Sequence, residues 1–201
     1  AHVADPKTGE VLWHRPLTEA MALAALNELA TWPGEVLGYH DGYVYVDRLT
    51  PWVEAYGQRT GGRVQVISDL NTLAMKEPTR LVVVGDVEEI RKLDLRLKAS
   101  LGSRLHITRS LPHFCEILHP DAGKHQALAW LCRNLGIRQE ETIAFGNGYN
   151  DVHMLAWAGL AVAVAGAVEE VLSVADMVAP SMEEDGAASV LEDLMELGLV
   201  G

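Results

Sequence analysis

The chain of 201 residues is 49% hydrophobic and carries a formal net charge of −12 at pH 7, enough apolar material for one good-sized domain or two small ones. Its basic clusters never exceed a pair of residues, which argues against a nucleic-acid partner and against an anionic membrane surface, while leaving room for a small anion at a locally positive site. No stretch approaches twenty consecutive apolar residues, and "AHVADPKTGE" lacks the basic and apolar regions of a signal peptide, so a cytoplasmic location is expected. In chain order, "HVAD" and "EVLWHR" flank the turn formers Pro6 and Gly9 and predict a hairpin. Thr18 then opens a helix whose apolar positions are Met21, Leu23, Leu26 and Leu29, ended by Trp32, Pro33 and Gly34. A second hairpin spans "EVLGYHDGYVYVDRL", where Asp41-Gly42 is a type I′ turn signal. Thr50 and Pro51 suit the N-cap and first position of the helix "TPWVEAYGQRTG". "RVQVISD" and "RLVVVGD" read as strands, "VEEIRKLDLRLKASLG" as a helix, and "RLHITRS" and "FCEILHP" as strands. The first part of the chain is thus a hairpin-rich mixture of helices and strands.

From Gly123 the pattern changes to strict alternation: helix "KHQALAWLCRNLGI", strand "TIAFG", helix "NDVHMLAWAG", strand "LAVAVA", helix "VEEVLSVAD", short strand "MVAP" and helix "AASVLEDLMELGL". Apolar strands alternating with helices predict a parallel sheet covered on both faces, a Rossmann-like half.

In such a sheet ligands bind beyond the carboxyl ends of the strands, where "TIAFG" runs into "NGYND". Gly146 and Gly148 permit a tight backbone, and Asn147, Asn150 and Asp151 offer the oxygen donors that hard cations such as Mg²⁺ prefer. The same residues read as caps of the helix that begins near Asp151, and the loop alone leaves both readings open. Lys124, at a helix start some twenty residues earlier, adds an ammonium able to neutralise a phosphoryl group or a carboxylate. Cys115 and Cys132 have no metal-ligand spacing and read as reduced structural thiols. The eight histidines include no pair at the i, i+4 spacing of a helical zinc site and read as scattered structural or surface residues. No Gly-x-Gly-x-x-Gly follows a strand, which counts against a dinucleotide binder.

The stretch from 114 to 194, with "HPDAGKHQAL", "ETIAFGNGYNDVHML" and "VADMVAPSMEEDGAAS", resembles the C-terminal core of the haloacid dehalogenase superfamily, in its Cof-type sugar-phosphate phosphatase branch. The resemblance implies an α/β fold in which an α/β cap is inserted into a Rossmann-like parallel-sheet core. It divides the chain into a core remnant (1–15), the cap (16–113) and the core (114–201). It implies a Mg²⁺-dependent hydrolase of a small phosphorylated metabolite such as a sugar phosphate. Lys124 would balance the charges of phosphate and nucleophile, and Asn147 would ligate the metal. Asn150 would orient phosphate or Lys124, and Asp151 would hold the metal's water shell or Lys124. Three departures are visible. Asn147 stands where the family usually has Asp, so Mg²⁺ should bind weakly. Ala165-Gly166 stands where the family commonly has Gly-Asn. The Asp-x-Asp-Gly-Thr loop that supplies the nucleophile is absent, and residues 1 to 15 are similar to family sequence that follows the first βαβα segment. The expectation is therefore a phosphatase lacking its N-terminal βα part and inactive as given. The alternative is a non-catalytic protein that keeps the fold to bind a phosphorylated ligand or a partner.

Overall fold

The structure, a computed structural model, describes residues 2–200. Local chemistry sets the first elements. Strands β1 (His2–Ala4) and β2 (Val11–His14) pair antiparallel as the Pro6 to Gly9 turn requires. Helix α1 (Glu19–Leu29) starts where the Thr18 hydroxyl accepts the Met21 amide at 3.4 Å, and buries Ala22, Ala25, Leu26 and Leu29. Strands β3 (Glu35–His40) and β4 (Tyr43–Val46) turn through Asp41 and Gly42, both at positive φ (49° and 77°), the backbone that a type I′ turn demands. Helix α2 (Pro51–Thr60) has Thr50 as its cap, Pro51 in its first turn and Gly61 in the left-handed conformation after it.

Strand β5 (Arg63–Val66) is followed by a one-turn helix α3 (Asn71–Ala74), absent from the sequence reading. The Asp69 carboxylate accepts the Asn71 amide at 2.8 Å, and Leu73 and Ala74 are buried. One turn is too short to display a helical period. Strand β6 (Arg80–Val84), helix α4 (Val87–Leu101, capped by Asp86) and strands β7 (His106–Leu111) and β8 (Phe114–Leu118) follow. Among the described residues these strands form a six-stranded sheet in the order β5-β4-β3-β6-β8-β7, antiparallel except for the β4–β5 pair. One sheet face packs Leu81, Val83, Ile107, Cys115 and Ile117 against α1, α3 and α4. The other packs Leu37, Val44, Val82 and Phe114 against Val53, Trp52 and Tyr56 of α2.

Further on, α5 (Lys124–Leu135), β9 (Ile143–Gly146), α6 (Val152–Trp157), β10 (Leu160–Val164), α7 (Glu169–Leu172), β11 (Met177–Ala179) and α8 (Gly186–Glu196) alternate as expected. The strands are parallel, in the order β11-β10-β9 among the described residues. Ala161 and Ala163 enter a core with Leu155 and Val171 on one face, while Val162 joins Ala179, Val190 and Leu194 on the other. Burial on both faces is why "LAVAVA" shows no alternation. No helix among the described residues is long and apolar enough to cross a membrane.

The chain divides into two compact units, 1–123 and 124–201. That division lies ten residues later than the boundary expected before Phe114. Strand β8 is hydrogen bonded between β6 and β7 and belongs to the six-stranded sheet. All five of its residues are buried, so its sequence looks like a strand of a doubly covered parallel sheet although its neighbours are antiparallel. Residues 1 to 15 also fall in the first unit. His14 Nε2 meets the Thr79 hydroxyl at 2.9 Å, and the Leu17 amide donates to the Pro78 carbonyl at 2.8 Å.

Candidate active site

The second unit builds its site from the carboxyl end of β9. Gly146 closes the strand, and a Cβ there would lie 2.6 Å from Asp151 Cβ and 3.0 Å from Leu155 Cδ1. Only glycine lets the 3-10 turn Tyr149–Asp151 fold back against the strand end. Asp151 is then buried, with 7% of its side chain exposed. Its Oδ2 accepts the backbone amides of Asn147 and Gly148, each at 3.0 Å. Its Oδ1 accepts from Lys124 Nζ in an ion pair that joins the start of α5 to this loop. Burial pushes the Asp151 pKa up, but the Lys124 hydrogen bond and the two amides outweigh it and hold the carboxyl below its ordinary pKa.

The Lys124 side chain is half exposed, at 49%. Its ammonium is held by Asp151. The loop after β10 braces the first loop, because the Val168 amide donates to the Asn147 carbonyl at 3.0 Å. Gly166 supplies the turn there with a φ of +85°.

The structure therefore brings Lys124 and Asp151 together. It places Asn147 at the exposed start of the loop and Asn150 half-buried in the 3-10 turn. The hydrogen bonds that close the loop use the backbone of Asn147 and neither asparagine side chain. Asp151 makes no side-chain cap hydrogen bond to α6, but its carboxylate accepts the Gly148 amide in a capping box of the 3-10 turn that precedes the helix, so the capping and loop-closing readings meet in one group. Glu184, after β11, has a local role: it accepts the Ser181 amide at 3.2 Å and the Ser181 hydroxyl at 2.8 Å.

The donors suit a hard cation by type, with an amide oxygen at Asn147 and a carboxylate at Asp151. They fall short by number: among the described residues no three His, Cys, Asp or Glu gather to hold a metal. Both Asp151 oxygens, moreover, are already engaged.

A polar group in the first unit escaped the sequence reading. Tyr39 and Arg80 are cross-strand partners, and the guanidinium lies 4.3 Å from the centre of the Tyr39 ring. Arg80 Nη1 pairs with Glu116 Oε2 at 3.2 Å, and the hydroxyls of Tyr39 and Tyr56 meet at 2.6 Å. Burial, then the Tyr56 hydrogen bond, pushes the Tyr39 phenol well above its ordinary value. The available signal was Glu116, a charge inside the apolar run "FCEIL".

The second unit thus combines a parallel sheet, a glycine loop at the end of its first strand and a lysine clamped to the loop's aspartate. The chain belongs to the haloacid dehalogenase-like hydrolase family, which it matches over residues 1–191. Among its relatives, a predicted phosphatase of Haemophilus influenzae is 35% identical over 127 residues, covering 63% of this chain and 48% of that protein. An HMP-PP phosphatase of Cronobacter sakazakii is 29% identical over 166 residues, covering 83% of this chain and 61% of its own length. The chain thus spans about half to three fifths of these relatives. A haloacid dehalogenase-like hydrolase from Bacillus subtilis superposes with a TM-score of 0.85 at 23% identity, covering 96% of this chain and 76% of that one. The same fold with its cap domain describes this chain.

Proposed function

We propose that this chain is the larger part of a Mg²⁺-dependent phosphomonoester hydrolase acting on a small phosphorylated metabolite. The observation that carries this reading is the Lys124–Asp151 pair at the carboxyl end of β9. Lys124 binds a phosphoryl oxygen and offsets the charge that collects when an anionic nucleophile approaches an anionic substrate. Asp151 is a positioning residue for Lys124, and its grip on the Asn147 and Gly148 amides fixes the loop in which Asn147 and Asn150 face the ligand. Mg²⁺, held in part by Asn147, would supply further neutralisation of the phosphoryl oxygens. The 201 residues contain no Asp-x-Asp pair, so the reading assigns the attacking carboxylate and the remaining metal ligands to residues outside them. The first unit serves as the cap. The relative named for HMP-PP and a sugar phosphatase of the same fold support a small phosphorylated metabolite as substrate.

The test is phosphate release from a panel of sugar phosphates and HMP-PP, with Mg²⁺ and with chelator. The 201-residue chain should give no release above background. The same chain extended by an Asp-x-Asp-bearing N-terminal segment should give chelator-sensitive release that Lys124→Ala abolishes. Asn147 favours the second reading, a protein that binds a phosphorylated ligand without turnover, because an amide brings no charge to a metal. Inactivity of the extended chain alongside retained phosphate binding would decide for that reading.

A further inference from the structure

His125 and His153 are 28 positions apart (153 − 125) in the sequence, and no local spacing links them. The fold places them side by side. His125 follows Lys124 in the first turn of α5, and His153 follows Asp151 by two residues in the first turn of α6. The Lys124–Asp151 ion pair ties those two helix starts together. The ring centroids are 5.5 Å apart and the planes are inclined at 52°, neither stacked nor edge-on. His125 is half-buried and His153 exposed.

We propose that His125 and His153 form a two-imidazole site for a borderline divalent cation of the zinc class, distinct from the oxygen-donor loop. A ring nitrogen binds such an ion at about 2.1 Å and the ring centre lies about 1 Å behind it, so two rings on one tetrahedral ion have centroids roughly 5 Å apart. The observed separation is in that range and needs little movement of either helix. Two imidazoles select Zn²⁺, Ni²⁺ or Cu²⁺ and discriminate against Mg²⁺, which prefers oxygen and keeps its waters. Water completes the coordination. The site adds a cation beside Lys124 and does not depend on the phosphatase reading.

The test uses the 201-residue chain, titrated calorimetrically with Zn²⁺ in excess Mg²⁺. One ion should bind per chain. Chelation by two ligands on fixed helices should be lost in single variants, so His125→Ala and His153→Ala should each weaken binding by about a hundredfold. His153→Gln, a polar change at an exposed position, carries the test if His125→Ala does not fold. With Co²⁺ as the probe, a visible ligand-field spectrum should appear in the wild type and vanish in His153→Gln. Absence of zinc binding, displacement of zinc by Mg²⁺, or unchanged affinity in His153→Gln would overturn the proposal.

Discussion

Asp151 and Lys124 divide one ion pair unequally, the carboxylate buried and the ammonium half in solvent. Removing either partner therefore has a different consequence. Lys124→Ala leaves a buried carboxylate that still has two amide donors, so its main effect is on anion binding: the upward shift in melting temperature produced by inorganic phosphate should disappear. Asp151→Asn cannot serve all three donors and should cost about 2 kcal/mol at neutral pH, with the ion pair itself contributing little because Lys124 is exposed. The pH dependence follows from the direction of the Asp151 shift. Its folded-state value lies below the ordinary 3.8, so its contribution is fully present above that value and is lost as pH falls through the lowered one. Urea midpoints above and below pH 3.8 should show wild type losing more stability on acidification than Asp151→Asn. Parallel pH profiles would show that the carboxylate is not held as described.

At the scale of elements, Gly146 decides whether β9 can deliver the loop. Gly146→Ala would press a methyl group onto Asp151 and Leu155 and should destabilise by about 1–3 kcal/mol, as over-packing does. Thr18→Ala, by contrast, removes the hydrogen bond to the Met21 amide at 3.4 Å and should cost about 1 kcal/mol. Thermal melts of the two variants should differ accordingly, and a silent Gly146→Ala would mean that the loop has another path. These positions also show what was legible in advance. The turn at Asp41-Gly42 and the caps at Thr18 and Thr50 were readable because their physics is contained within four residues. The parallel strands β9 and β10 were readable because doubly covered strands are apolar throughout. Strand β8 gives the same apolar signal in an antiparallel setting, and only its partners β6 and β7 reveal the sheet it joins. For the site, the resemblance singled out Lys124 and Asp151, but what Asp151 holds is set by non-local geometry. So is the proximity of His125 to His153, which a search of spacing along one helix passes over.

For the whole molecule, the division at Gly123 and Lys124 carries a prediction of its own. Each unit has separate cores: the first buries large residues such as Leu17, Leu37, Leu81, Ile90 and Ile117 around a six-stranded sheet. The second relies on alanines and valines around a three-stranded sheet, with Leu155 its largest fully buried side chain. Less apolar area buried per residue means a smaller margin over conformational entropy, so the second unit should unfold at lower urea. The tryptophans allow each unit to be followed alone: Trp13, Trp32 and Trp52 report on the first, Trp130 and Trp157 on the second. Replacing Trp130 and Trp157 with Phe should leave only the later fluorescence transition, and replacing the other three should leave only the earlier one. Phosphate should then raise the midpoint of the earlier transition alone, because a ligand stabilises the unit that binds it, and Lys124→Ala should cancel that rise. Coincident transitions in both sets of variants would mean that the two units fold as one cooperative body. A phosphate response in the later transition would move the anion site out of the second unit altogether.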